Sequence, residues 1–235
     1  MHEIFLERTL QLAESRRGFC APNPSVGAVV VKNGKIIAEG FHWERGKPHA
    51  EIEALNKIGD EAKGSHLYVS LEPCCHYGKT PPCTKAIIER GIAKVVYGFQ
   101  DPNPIVCGKG EAQLRAAGVE CQFHPTQSIS HFYRSYSYWH KTKKPWVTLK
   151  IALSFDGKVS GPQGDPVQIT GLECQKFTHE NRKKSDAILT SAKTIICDNP
   201  QLNARIDNEI NAKKVYILDR NLSLPLNAKI FKTAQ

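Results

Sequence analysis

The chain has 235 residues, 40% of them hydrophobic and 23% charged, with a net charge of +9. That length and balance describe one large or two modest globular domains with a real core, and exclude a low-complexity chain. No apolar run is long enough to span a bilayer, the first turn from Met1 to Arg8 mixes charges where a secretory signal would be apolar, and a soluble cytoplasmic protein is expected.

The periodicity predicts a helix over 2–17, with Ile4, Phe5, Leu6, Leu10, Leu12 and Ala13 at helical spacing. Residues 27–31 and 36–40 flank Asn33-Gly34, the pair that supplies the positive φ angles of a type I′ hairpin turn. A helix is expected from Pro48 to about Gly59, a strand over 67–70, a helix over 84–90 and a strand over 94–99. A helix near 111–117 and a strand near 119–123 follow, and the alternation implies an α/β sandwich. Residues 125–145 have few aliphatics and end in a basic run, Lys141 to Pro145, which reads as a solvated linker with a domain boundary near 145. Beyond it, 146–152, 186–190 and 214–219 read as strands and 172–182 as a helix, the start of a second α/β unit. The expected domains are 1–145 and 146–235.

Two short segments carry chemistry: Pro48-His49-Ala50-Glu51, and Pro73-Cys74-Cys75 leading through a Gly/Pro-rich loop to Cys83. One imidazole and two thiolates, His49, Cys74 and Cys83, make a three-ligand zinc site, and three protein ligands with an open fourth position are the catalytic pattern. Zinc lowers the pKa of a water in that position towards about 7. A deamination also needs a proton carrier, and Glu51 is the candidate. A His-x-Glu followed by Pro-Cys…Cys, with the Glu not a ligand, is the signature of zinc deaminases. Pro48 suits a helix start, so His49 and Cys83 would both sit at helix N-termini, where the dipole favours thiolate. A closed Cys/His knuckle is the structural alternative, with Cys75 or His76 as fourth ligand. The other cysteines are scattered and are expected to be reduced.

Eight residues separate Cys74 from Cys83 rather than two, and the insert carries Gly78, Lys79 and Pro81-Pro82. With Ala21-Pro22-Asn23-Pro24-Ser25-Val26-Gly27 upstream and Gln100-Asp101-Pro102-Asn103-Pro104 downstream, the string from Pro73 to Cys83 resembles the bifunctional riboflavin-biosynthesis deaminase–reductases. The resemblance implies a cytidine-deaminase-like α/β/α sandwich that hydrolyses the ring 2-amino group of 2,5-diamino-6-ribosylamino-4(3H)-pyrimidinone 5′-phosphate. It also implies substrate contacts at Asn23, His42, His76 and Lys79, residues that taken singly would read as a turn, a strand surface and loop positions.

The second half resembles the dihydrofolate-reductase-like domain of the same family, through Leu149 to Gly157 and Leu189 to Arg205. By that likeness Ala152, Gln168, Thr194 and Asp198 would line NADPH, while Lys150, Asp156, Arg182, Leu202 and Arg205 would face the substrate, the two guanidinium forks towards phosphate. Two departures stand out. Pro166-Val167-Gln168-Ile169-Thr170 replaces the family's Ser-x-Trp-Ile-Thr, and no glycine follows Gly171, so the Gly-rich turn that would cradle a pyrophosphate is expected to be missing and the reductase half truncated. The expected partners are a small phosphorylated pyrimidine and a second copy of the chain, with no nucleic acid and no membrane. The alternatives are a nucleoside or tRNA deaminase using the same zinc apparatus, against which the loop insert and second domain count, and a non-catalytic protein built on a deaminase fold.

Overall fold

The computed structural model describes residues 2–235. The backbone forms two compact units, one up to Val147 and one over Thr148–Gln235.

The first unit begins with helix α1 (His2–Ser15), then the hairpin β1 (Gly27–Lys32) and β2 (Lys35–Phe41). Asn33 and Gly34 turn it at φ 51° and 74°, as a type I′ turn requires. Helix α2 (Ala50–Ile58), strand β3 (His66–Val69), helix α3 (Cys83–Glu89), strand β4 (Lys94–Tyr97), helix α4 (Lys109–Ala116) and strand β5 (Glu120–Phe123) follow. The sheet order is β2-β1-β3-β4-β5. β1 pairs antiparallel with β2 and β3, while β3, β4 and β5 run parallel.

Alternation along each strand builds two cores. Ala28, Val30, Leu67, Val69, Val95 and Tyr97 face one side, against Ala54 and Leu55 of α2, Ile87 of α3 and Leu114 of α4. Val29, Val31, Tyr68 and Val96 face the other, against Phe5, Leu6 and Leu10 of α1. The expected α/β/α sandwich is therefore present. β2 and α2 pack backbone to backbone at Gly40, where a Cβ would lie 2.2 Å from the Ala50 carbonyl oxygen. That contact seats the helix N-terminus against the sheet.

No element was expected between 125 and the basic run at Lys141–Pro145, yet the chain is helical there. Helices α5 (Gln127–Phe132) and α6 (Arg134–Thr142) occupy it, and Ile129, Phe132 and Tyr133 are buried in the second core. Few aliphatics were needed because aromatic rings supply the apolar area.

The second unit contains α7 (Leu172–Lys184), β6 (Ala187–Ser191), α8 (Ala192–Asp198), the short hairpin β7 (Ala204–Ile206) and β8 (Glu209–Asn211), β9 (Lys214–Leu218) and α9 (Ile230–Thr233). β6 and β9 form a parallel pair, and a small core gathers Ile195, Leu202, Ala228 and Ile230. The strand expected over 146–152 is absent: that stretch has no regular secondary structure. Its apolar sequence suits a strand, but a strand exists only with a ladder partner, and none pairs with it among the described residues. Among the described residues no helix is long and apolar enough to cross a membrane, and all eight cysteines are free.

Candidate active site

Because β1 runs antiparallel to β3, the start of β1 and the ends of β2, β3 and β4 lie at one end of the sheet. The segments 22–26, 42–49, 70–83 and 98–108 all emerge there, at the carboxyl ends of the parallel strands where open α/β sheets place their sites. His49 is the N-cap of α2, with extended backbone (φ −74°, ψ 165°), and Cys83 is the first residue of α3. Cys74 lies in the loop after β3.

These three side chains converge. His49 Nδ1 is 3.5 Å from Cys74 Sγ and 3.3 Å from Cys83 Sγ, and the three ligand atoms all lie within 4.8 Å of one another. Ligands held about 2.0–2.3 Å from one tetrahedral ion stand roughly 3.5 Å apart, so the donor set fits zinc. Among the described residues no fourth His, Cys, Asp or Glu joins the group. Cys75 instead turns its Sγ to the Ile105 carbonyl at 3.9 Å.

The electrostatics follow from crowding two thiols beside one imidazole. A hydrogen bond from Cys83, with further help from His49, pulls the Cys74 thiol down to about 4, while the same bond and burial push Cys83 up. The pair thus shares one proton until a cation replaces it. The Cys74 thiolate raises His49 in turn. Glu51, only 3% exposed and in the first turn of α2, is pushed up to about 7 by burial.

A cavity of about 420 Å³ opens beside the group, with His49, Glu51 and Cys74 in its wall. The expected contacts Asn23, His42, His76 and Lys79 all line it. Asn23 Nδ2 lies 3.2 Å from His42 Nε2, and His42 Nδ1 lies 3.0 Å from the Pro48 carbonyl, tying the first loop to the entry of α2. Burial lowers the pKa of His42. The sequence reading missed Arg45, Asp101 and Asn103, and also Tyr136, Trp139 and His140 of α6, which line the same cavity. Asp101 and Asn103 stand in a string used only for family likeness. The α6 residues stand at i, i+3 and i+4, one helical face, and that spacing is the signal in the sequence that could have found them.

In the second unit Arg182 and Arg205 meet at α7 and β7. Arg182 Nη1 donates to the Asn203 carbonyl (3.5 Å), Arg205 Nη1 to the Asn203 Oδ1 (2.7 Å), and His179 Nδ1 accepts from the Arg205 N–H (3.1 Å). Burial and the nearby Arg205 lower the Arg182 pKa. Leu202, buried with φ 50°, lies next to them in sequence. The other expected positions fall on other segments of the unit. Lys150, Ala152, Asp156 and Gln168 lie in the irregular stretch before α7, Asp156 bonded only to Ser154 and Gln168 to the Thr170 carbonyl. Thr194 bonds Ser191, the cap of α8, and Asp198 ends that helix. No hydrogen bond joins these residues to the arginine pair among those described.

Residues 1–99 match the family model described as the cytidine and deoxycytidylate deaminase zinc-binding region, and 145–235 match the RibD C-terminal domain. A solved structure of a diaminohydroxyphosphoribosylaminopyrimidine deaminase/5-amino-6-(5-phosphoribosylamino)uracil reductase from Thermotoga maritima is 40% identical, superposes with a TM-score of 0.92, and is matched over 100% of this chain and 68% of its own. The chain belongs to the RibD family of riboflavin biosynthesis proteins. RibD of Acinetobacter baumannii aligns with a TM-score of 0.91 at 38% identity, over 98% of this chain and 67% of that one. The curated RibD proteins of Aquifex aeolicus and Escherichia coli are 42% and 38% identical over 98% and 97% of this chain. The chain spans 65% and 62% of their lengths.

Proposed function

We propose that the first unit is a zinc-dependent deaminase that hydrolyses the ring amino group of 2,5-diamino-6-ribosylamino-4(3H)-pyrimidinone 5′-phosphate. The observation that carries this is the convergence of His49, Cys74 and Cys83 beside a buried Glu51, on the wall of one cavity. His49, Cys74 and Cys83 would hold zinc, and the bound ion supplies the Lewis acidity that makes water a nucleophile at neutral pH. Glu51 does the proton work. Its carboxylate takes a proton from the attacking water and, as the acid, gives it to the departing amine. The net change breaks the exocyclic C–N bond, forms a carbonyl and releases ammonia. The His42 imidazole, held by the Pro48 carbonyl and by Asn23, orients the ring, and Lys79 at the cavity rim offers a cation to the phosphate.

The domains are taken as 1–145 for the deaminase and 146–235 for the N-terminal part of a reductase that uses NADPH in this family. Arg182, Leu202 and Arg205 would face the substrate of that second reaction. Ala152, Gln168, Thr194 and Asp198 would line the nucleotide in that reading. Self-association belongs to the same reading, supported by Leu189, Tyr216 and Leu218 exposed on the β6–β9 sheet.

The test is ammonia release from the ribosylamine phosphate by zinc-loaded protein, with cytidine and a tRNA-like RNA as controls. Turnover of the pyrimidinone alone is expected. Turnover of cytidine or RNA in its place would overturn the reading.

A further inference from the structure

No residue of helix α6 is fully buried, and only Tyr136 packs against the second core. The face of α6 made by Tyr136, Trp139 and His140 lines the deaminase cavity. The Tyr136 hydroxyl donates to Asp101 Oδ1 at 3.1 Å, and its ring meets that of His140 at 4.6 Å, edge to face. Trp139 is 48% exposed, which places it at the mouth. The helix therefore runs from Asp101, inside the cavity, outward to solvent.

The Nδ1 atoms of His140 and of His76 are sealed from solvent and have no hydrogen-bond partner among the described residues. An orphaned buried N–H is rarer than an under-used acceptor, so the proton of a neutral ring belongs on Nε2. Each imidazole then has one N–H left for a ligand. Burial, with Lys143 next, lowers the His140 pKa, and a neutral donor suits a hydroxyl better than a phosphate dianion. Lys79 and Arg45, both exposed on the facing loops, are the groups suited to phosphate.

We propose that α6 is the sugar-recognising wall of the deaminase site: His140 donates from Nε2 to a ribose hydroxyl, Trp139 covers the sugar at the mouth, and Tyr136 positions Asp101. The proposal rests on the deaminase reading above. With the reacting amine placed beside Glu51, the ring's ribosylamine arm points along α6 towards solvent. His140 and Trp139 are thus specificity-determining residues, and Tyr136 is a positioning residue.

Two measurements on the zinc-loaded 235-residue chain decide it. The first is binding of ribose 5-phosphate by calorimetry, which does not depend on turnover. His140→Ala is expected to bind about tenfold more weakly than the parent, the loss of roughly one hydrogen bond, and His140→Gln, which keeps a side-chain N–H, to recover part of it. The second is the ratio of kcat/KM for the ribosylamine phosphate over kcat/KM for the same heterocycle without its ribose phosphate. His140→Ala should lower that ratio about tenfold, mostly through KM, and Trp139→Ala should lower it too. Damage to the fold would depress both substrates together and leave the ratio where it was. Equal affinity of parent and His140→Ala for ribose 5-phosphate, no binding by the parent, or an unmoved ratio in variants that keep the parent's activity on the ribose-free heterocycle would overturn the proposal. A parent that binds ribose 5-phosphate yet releases no ammonia overturns the deaminase reading alone.

Discussion

Replacing Glu51 by Gln separates what the carboxylate does for chemistry from what it costs the fold. Glu51 is almost fully buried, and burial moves it from an ordinary 4.5 to about 7, with His49 pulling the other way. A raised carboxyl pKa means that the folded chain holds a proton the unfolded chain has lost. The metal-free protein is therefore unpenalised below about pH 4 and loses stability as pH climbs through 4.5 to 7. The interval of about 2.5 pH units at about 1.4 kcal/mol each gives a loss of about 3 kcal/mol by pH 8. Glutamine keeps the shape and carries no charge. Metal-free Glu51→Gln should be about 3 kcal/mol more stable than the parent at pH 8 and equal to it near pH 4. All three tryptophans, Trp43, Trp139 and Trp146, lie in the first unit, so urea unfolding followed by their fluorescence reads this unit alone. In the zinc-loaded variant ammonia release should fall about 10²–10⁴-fold with zinc content unchanged. Turnover within tenfold of the parent, or a stability gap that ignores pH, would refute the reasoning.

Three further outcomes are expected. Cys74→Ser and Cys83→Ser should each lose most of their zinc by metal analysis, whereas Cys75→Ser, whose sulfur faces the Ile105 carbonyl, should retain it; an empty site in the Cys75 variant alone would reassign the ligands. Gly40→Ala would place a methyl 2.2 Å from the Ala50 oxygen and 2.5 Å from the Ala54 nitrogen, backbone atoms that yield only if α2 moves. Its apparent zinc affinity should drop at least tenfold with a lowered unfolding midpoint, and parent-like values of both would show that the helix is free to shift. The 235-residue polypeptide should consume little NADPH with deaminated substrate present, because two of its expected nucleotide contacts, Ala152 and Gln168, lie in a stretch without regular secondary structure. Steady, stoichiometric oxidation of NADPH would contradict that.

Most strands and helices of the first unit could be read in the sequence because their signals are local. Alternation at Ala28 to Val31, the Asn33-Gly34 turn, and the breaks at Pro48, Gly59 and Gly91 act over a few residues. The metal ligands were legible for a similar reason: His49, Glu51, Cys74 and Cys83 are unusual residue types at restrictive spacing, and the chemistry that needs them is specific. What the sequence could not determine by itself depends on distance through space. The 125–145 segment forms helices because Ile129, Phe132 and Tyr133 find the back of the sheet, and Tyr133 reaches the Ser25 carbonyl at 2.9 Å and Ser70 at 2.7 Å, more than sixty positions away. By the same docking, Tyr136 and His140 arrive at a cavity whose other walls come from residues 22–106. The converse holds at 146–152, where a strong local strand signal yields no strand, since among the described residues no ladder partner pairs with it. Local propensity names the candidates for a strand or a site, but only tertiary packing supplies the partners that make them one.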